Sequence, residues 1–202
     1  MRFLFFAFLV LQTVLCSAQS LSTAYEISSG IIKTTTGNAA VFNDYKGMGL
    51  NFQLNFGKEK ATATERPTLF EVNGLPLQII VVKAAPHKKA TAEVILSSYI
   101  SSEVEYTSQS MSAQIKPLVI SVQLKPSQPG KLWSYALPDG MSDEVQQQVF
   151  LNFVQGNFII GLGSAQFKGQ SLKTVQTMLL NTARAMQFSP TKINIRQKII
   201  AN

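Results

Sequence analysis

The chain has 202 residues, of which 18 are Lys or Arg and 11 are Asp or Glu, giving a formal net charge of +7. The basic residues are scattered singly or in pairs, without an aromatic-interleaved basic motif, so the composition argues against nucleic-acid binding. With one cysteine and one histidine, the chain cannot form an internal disulfide or supply the three or four ligands of a protein zinc site.

The first 18 residues are predicted to be a cleavable signal peptide. Arg2 provides a short positive start, residues 3–15 are almost wholly apolar, and Ala18 ends a stretch of small residues that suits cleavage. The apolar run is well short of the roughly 20 residues that cross a bilayer, which disfavours a membrane anchor. A lipid anchor at Cys16 is disfavoured as well, because Leu15 occupies the place where a lipoprotein signal has a small residue.

The rest of the chain is expected to act outside the cytoplasm, in the periplasm or secreted. It contains neither a cysteine nor an Asn-x-Ser/Thr sequon, which favours a bacterial envelope protein over a eukaryotic secreted one. It also contains no second apolar run that could span a membrane. We expect a polar lead-in at residues 19–48, a single domain at residues 49–190 and a C-terminal tail at residues 191–202.

Strands dominate the first part of the predicted fold. The lead-in contains two short apolar pieces, at residues 27–32 and 39–42, which suit a hairpin or an edge strand. Apolar and polar residues alternate over residues 50–56, the pattern of a strand with one buried face and one face in water. Residues 57–68 are charged and rich in turn formers, so we expect an exposed loop there.

A hairpin and a helix follow. Asn73-Gly74 is a strong two-residue turn signal between Leu69–Val72 and a β-branched run at residues 77–82, which is predicted to be a central strand covered on both faces. Apolar residues at helical spacing from Ala92 to Ile100 then predict a helix over residues 89–104.

Four more strands and a second helix are predicted in the second half. After a polar stretch at residues 105–117, apolar residues alternate over Leu118–Lys125, and a proline-containing turn leads to a strand at residues 131–137. Gly156-Asn157 closes a hairpin between strands that begin near Val149 and end near Leu162. Ser171 is the predicted N-cap of a helix that Ser189-Pro190 stops.

This order of elements predicts the α+β class, a mostly antiparallel sheet with two main helices packed on it. The sequence also resembles the PsbP-like family, which includes extrinsic photosystem subunits and exported bacterial proteins. The resemblance lies in residues 49–52 at the first regular strand, in one mid-chain helix around residues 94–100, and in a hairpin at residues 150–169 followed by a helix at residues 171–188. It implies that fold and a non-enzymatic accessory or binding domain. No residue matches a functional residue of the family.

Several residues are candidates for a site, and a structural role competes with each. His87 has no neighbouring acid to orient it as a base, which favours a solvated position at a helix start. Asp139, Asp143 and Glu144 form the tightest acidic group but lack the spacing of a calcium loop, which favours an exposed turn. Gly161-Leu162-Gly163-Ser164 lacks the full pattern of a nucleotide loop or nucleophile elbow and is typical of close backbone packing.

Two further groups leave alternatives open. Trp133 and Tyr135 share a strand face, and packing beneath a helix is preferred over an aromatic platform for a sugar or lipid. Lys168, Gly169 and the helix start at Ser171 could hold an anion, as every capped helix could. We predict no catalytic residue, no metal and no cofactor.

Three functions remain in view. The leading hypothesis is an exported, non-enzymatic accessory or binding domain of the bacterial cell envelope, whose partner is another envelope protein. The alternative is a carrier of a small apolar ligand in a pocket between sheet and helices, lined by Phe52, Phe56, Leu96 and Phe153. The third is a hydrolase whose site forms only in three dimensions. A dry pocket would favour the carrier, whereas a packed core with an exposed apolar patch would favour the binding domain.

Overall fold

A computed structural model describes residues 31–34, 37–84 and 90–195, which form eleven β-strands and two α-helices. The helices are α1 (Ala92–Ser110) and α2 (Leu172–Ala185), and a short 3-10 helix spans Tyr45–Gly47. The strands are β1 (Ile32–Thr34), β2 (Gly37–Phe42), β3 (Asn51–Gly57), β4 (Ala61–Ala63), β5 (Leu69–Val72), β6 (Leu75–Lys83), β7 (Leu118–Lys125), β8 (Gln128–Ala136), β9 (Val145–Gln155), β10 (Phe158–Phe167) and β11 (Gln187–Ser189).

The strands form two antiparallel sheets rather than one. The small sheet has the order β1-β2-β3-β11, and the large sheet has the order β4-β5-β6-β10-β9-β8-β7. Every strand pair is antiparallel. The predicted α+β class, with a mostly antiparallel sheet and two packed helices, is therefore confirmed, and the division into two sheets is the added finding.

Side chains of the large sheet alternate between two separate cores. On one face Leu132 and Leu151 belong to the core that includes α2 and the small sheet. On the other face Trp133 and Phe150 pack in the core that includes Ile100 of α1. Because successive residues of a strand point to opposite faces, the two helices cover opposite faces of the large sheet.

The turn signals of the sequence placed two hairpins correctly. Asn73 and Gly74 both have positive φ, at 51° and 78°, as the predicted two-residue turn between β5 and β6 requires. Gly156 and Asn157 join β9 to β10, and here only Gly156 has a positive φ, of 57°. The predicted N-cap, Ser171, precedes α2, although its side chain makes no capping hydrogen bond.

Other predictions are corrected by the structure. Helix α1 begins at Ala92 and continues to Ser110 instead of ending near residue 104. The extension is stable because Thr107 is buried, and because the Ser108 hydroxyl donates to the carbonyl of Val104 and accepts from the amide of Ile115. Residues 105–110 look polar in sequence because most of their side chains lie on the outer face of the helix.

The alternation of β3 predicts that its polar face lies in water, but in the structure this face is buried. Asn51 and Gln53 are both buried, and hydrogen bonds connect this strand to neighbouring segments. The amide of Asp44 donates to Asn51 Oδ1 over 2.9 Å, and Asn55 Nδ2 donates to the carbonyl of Ala185 over 2.7 Å. The predicted loop at residues 57–68 contains the short strand β4. The helix predicted to continue until Ser189-Pro190 ends at Ala185, and Gln187–Ser189 form β11 instead, paired with β3.

Candidate functional site

The four residues expected to line an apolar pocket do not meet. Phe52, Phe56 and Phe153 are buried together in the α2 core. Leu96 is buried on α1, which covers the opposite face of the large sheet. Side chains packed in this way leave no common cavity among the four residues, so an apolar ligand would have to bind elsewhere.

A surface groove lies beside α2, and we call it the α2 groove. Its volume is about 730 Å³, within the usual range of small-molecule sites. The apolar part of its wall comes from Phe56, Val72, Leu75 and Met178, and the rest is mostly hydroxyl and amide groups of α2. Two of its polar groups already have partners, since Asn55 binds the carbonyl of Ala185 and Glu59 accepts from Asn73.

Trp133 and Tyr135 pack beneath a helix, as predicted, and form no surface platform. Both are almost wholly buried in the α1 core. The Trp133 ring stacks on Phe150 with ring centroids 4.6 Å apart, and its Nε1 donates to Asn152 Oδ1 over 2.6 Å. The indole therefore satisfies its one polar group inside the sheet.

The glycine-containing segment of β10 makes room for this packing. A Cβ on Gly161 would lie 2.8 Å from Asn152 Nδ2, and a Cβ on Gly163 would lie 3.1 Å from the Phe150 ring. The two glycines thus let Asn152 and Phe150 lie flat against β10. The interpretation of Gly161-Leu162-Gly163-Ser164 as a close-packing segment is confirmed.

A polar cluster of Tyr99, Glu103, Thr107 and Tyr135 lies between α1 and the large sheet. Thr107 and Tyr135 are buried, whereas Tyr99 and Glu103 are half-buried. Burial raises the pKa of the Glu103 carboxyl above its ordinary value, and a hydrogen bond with Tyr99 partly opposes that shift. Burial likewise raises the pKa of both tyrosines, and the Glu103 charge adds to the effect. The space beside this cluster is only about 10 Å³, close to the volume that one water needs. This space is too small to admit a substrate.

The outer side of β7, which we call the β7 edge, presents apolar side chains to solvent. Leu118 is 59% exposed, Val119 42% and Ile120 43%. Within the described residues β7 is hydrogen-bonded to one strand only, β8, so its other side carries backbone groups that no strand pairs. One β7 carbonyl, that of Gln123, accepts from Arg184 Nη2 over 3.3 Å. The alternation of β7 predicted the strand but not its exposure.

The acidic candidates lie on the surface. Asp139, Asp143 and Glu144 are exposed, and the Glu144 carbonyl accepts from the amide of Lys168 over 2.7 Å. His87 lies outside the described residues. Among the residues that are described, no group of three or more His, Cys, Asp or Glu is placed to hold a metal ion. None of the helices in the described part of the chain is both long and apolar enough to cross a membrane.

Comparison with known proteins adds a structural likeness. No family model and no curated protein matches the sequence. The structure is similar to the solution structure of cyanobacterial PsbP (CyanoP) from Synechocystis sp. PCC 6803, with a TM-score of 0.48 and 12% identity, covering 87% of this chain and 99% of that chain. That protein bears the family name that the sequence resemblance gave. At this identity the likeness concerns the fold and has no bearing on function.

Proposed function

We propose that the protein is an exported, non-enzymatic accessory or binding domain of the bacterial cell envelope, and that it binds protein through the β7 edge. The observation that carries the proposal is the exposure of Leu118, Val119 and Ile120 on an outermost strand. The residues expected to form a ligand pocket are instead packed in the core. A packed core combined with an exposed apolar strand favours a binding domain over an internal carrier.

Strand addition is the binding mode that fits this edge. A partner strand laid beside β7 would pair the outer backbone groups and cover the apolar side chains in one step. Backbone hydrogen bonds give such an interface its affinity, and the side chains on alternate positions give it specificity. The length of β7, eight residues, is sufficient for a ladder of several hydrogen bonds.

Binding of a small, partly apolar ligand in the α2 groove is the second candidate function. The groove volume of about 730 Å³ favours it. Native mass spectrometry of the protein purified from its own host tests it directly. A small molecule that is present under gentle conditions and lost on denaturation would support this function, and a bare chain would exclude it.

The proposed binding edge can be tested by photo-crosslinking in the envelope of the protein's own host. A photo-reactive residue in place of Leu118 is compared with one in place of Thr62, which is exposed on β4 at the other edge of the same sheet. We expect a discrete crosslinked protein from position 118 and none from position 62. Equal crosslinking from both positions, or none from position 118, would contradict the proposal.

A further inference from the structure

We propose that the partner at the β7 edge is a second copy of this chain, with the two β7 strands paired antiparallel about a twofold axis at Ser121. This inference rests on the proposed function, because it names the partner of the same edge. The result would be one continuous sheet that runs through both copies, with α1 and α2 of each copy on its two faces.

The alternation of β7 restricts which registers are possible. Ile120 lies opposite Leu132 of β8, so even-numbered residues point to the α2 face. Val119 lies opposite Trp133, so odd-numbered residues point to the α1 face. Residues that stand opposite each other in an antiparallel pair point to the same face, so apolar side chains meet only if even residues pair with even ones.

A twofold axis at Ser121 satisfies this condition and does not set Lys116 of one copy opposite Lys125 of the other. The Lys131 ammonium, which donates to the Ser121 hydroxyl over 3.0 Å, is paired with Glu93 of its own chain. The axis places Ile120 opposite Val122 of the other copy and Leu118 near Leu124, all on the α2 face. Leu124 is already buried by its own chain and lies at a β-bulge between Gln123 and Lys125. Lys125 then lies opposite Pro117 rather than another lysine. A shift of one residue would set apolar side chains against the wrong face and could bring lysines together, which costs free energy.

The ends of the strand limit the ladder. Lys116-Pro117 precedes β7, and Lys125-Pro126 ends it. Proline has no amide hydrogen to donate, and lysines near both ends disfavour sliding or continued strand addition. The segment between these two pairs is uncharged. Such a segment suits one closed pairing of two strands rather than open-ended aggregation.

A second copy carries the same exposed apolar strand and can cover it. Both copies have the exposed trio of Leu118, Val119 and Ile120, and in this register the trio of each copy lies against residues 122–124 of the other. A paired edge is small compared with the interface of a permanent dimer. We therefore expect a reversible dimer whose population rises with protein concentration.

Disulfide trapping tests the axis. In a Cys16→Ser background the chain has no other cysteine, so Ser121→Cys introduces a single thiol at the proposed axis. Directly opposed residues of an antiparallel pair have Cα atoms about 4.5–5.5 Å apart, within the range that a disulfide bridges. Gln123→Cys is the matched control, because both side chains are exposed but the two copies of residue 123 would lie about 13 Å apart.

We expect mild oxidation to convert Ser121→Cys to a covalent dimer under conditions where Gln123→Cys remains monomeric. Sedimentation of the wild-type chain should show dimer formation that increases with concentration. Equal trapping of both variants, or a wild type that stays monomeric at millimolar concentration, would overturn the inference. A different protein crosslinked at position 118 would then leave the proposed function standing, whereas the absence of any crosslink there would remove both.

Discussion

The two outer strands of the large sheet, β4 and β7, are built in opposite ways. Strand β4 is only three residues long, Ala61–Ala63. Charged residues surround it in the sequence, namely Lys58, Glu59, Lys60, Glu65 and Arg66. Strand β7 is eight residues long and begins with three exposed apolar side chains. Shortness and nearby charge are the usual protection of a sheet edge, so the chain protects β4 and leaves β7 available for pairing.

The two outer strands also differ in where the charged residues near them lie. The lysines near β7 lie only at its ends, at positions 116 and 125, while its exposed centre is uncharged. Charges that flank an apolar strand restrict aggregation without preventing one specific pairing. We infer that the β7 edge is covered by protein when the molecule works, and that the β4 edge remains in water.

Among the changes considered, a single charge placed in β7 should weaken dimerisation the most. Ile120→Lys places an ammonium group opposite Val122 of the second copy, so the dimer must desolvate it. We expect dimerisation to weaken at least about tenfold, which corresponds to about 1.4 kcal/mol. Analytical ultracentrifugation over a range of concentrations measures the change.

Thr62→Lys is the control on the other edge. Because β4 is proposed to remain in water, the same added charge should leave dimerisation unchanged. Both substituted positions are exposed, so urea unfolding should show changes of only about 0.5 kcal/mol or less. An equal loss of dimer in both variants would mean that overall charge, rather than the β7 edge, controls association.

Ionic strength should have a smaller effect. Each copy carries a net charge of +7 as a full chain, so two copies repel each other when screening is weak. Raising the salt concentration from about 50 to about 500 mM shortens the screening length severalfold, and we expect the dimer dissociation constant to fall about threefold. A dissociation constant that rises with salt would point to ion pairs across the interface and against the uncharged β7 contact.

The smallest effect is expected from the half-buried carboxyl of Glu103 beneath α1, which should affect the stability of the fold but not pairing at the β7 edge. Because the folded-state pKa of Glu103 is raised, folding favours its protonated form. The associated stability is fully present below the unfolded-state pKa of about 4.3 and is lost as pH rises through the higher folded-state value. Glu103→Gln keeps a neutral group at every pH, so its stability relative to wild type should increase as pH rises.

The difference in the free energy of unfolding between Glu103→Gln and wild type should stay below about 1 kcal/mol, because Glu103 is only partly buried. Urea unfolding of both proteins between pH 4 and pH 8 measures it, and the comparison cancels the titration of other groups. Dimerisation of Glu103→Gln should equal that of wild type. A wild type that gains stability over the variant with rising pH would show that Glu103 is ionised and favourably paired in the folded chain.

Local signals in the sequence were sufficient for the hairpins and for the start of α2. Asn73-Gly74 and Gly156-Asn157 allow the backbone geometry that tight turns need, and no distant contact is required to recognise them. The length of α1 could not be derived in this way. Residues 105–110 are mostly polar, and only the sheet below them shows that Thr107 points inward.

The sites depend on packing between elements, which periodicity does not encode. The bond from Trp133 to Asn152 joins neighbouring strands at positions 19 residues apart, and the room for it comes from Gly161 on a third strand. The alternation of β7 predicted a strand, but the exposure of Leu118 and Ile120 depends on how far α2 extends over the sheet. An apolar strand that no element covers looks, in sequence, like one that is buried.

Amide hydrogen exchange at two protein concentrations tests the contrast between the edges most directly. The fragment that contains residues 118–123 reports on β7, and the fragment that contains Ala61–Ala63 reports on β4. We predict that β7 amides exchange more slowly at high concentration, because pairing covers their outer side, while β4 amides exchange at the same rate at both concentrations. Concentration-independent exchange of β7, or equal slowing of both strands, would contradict the account.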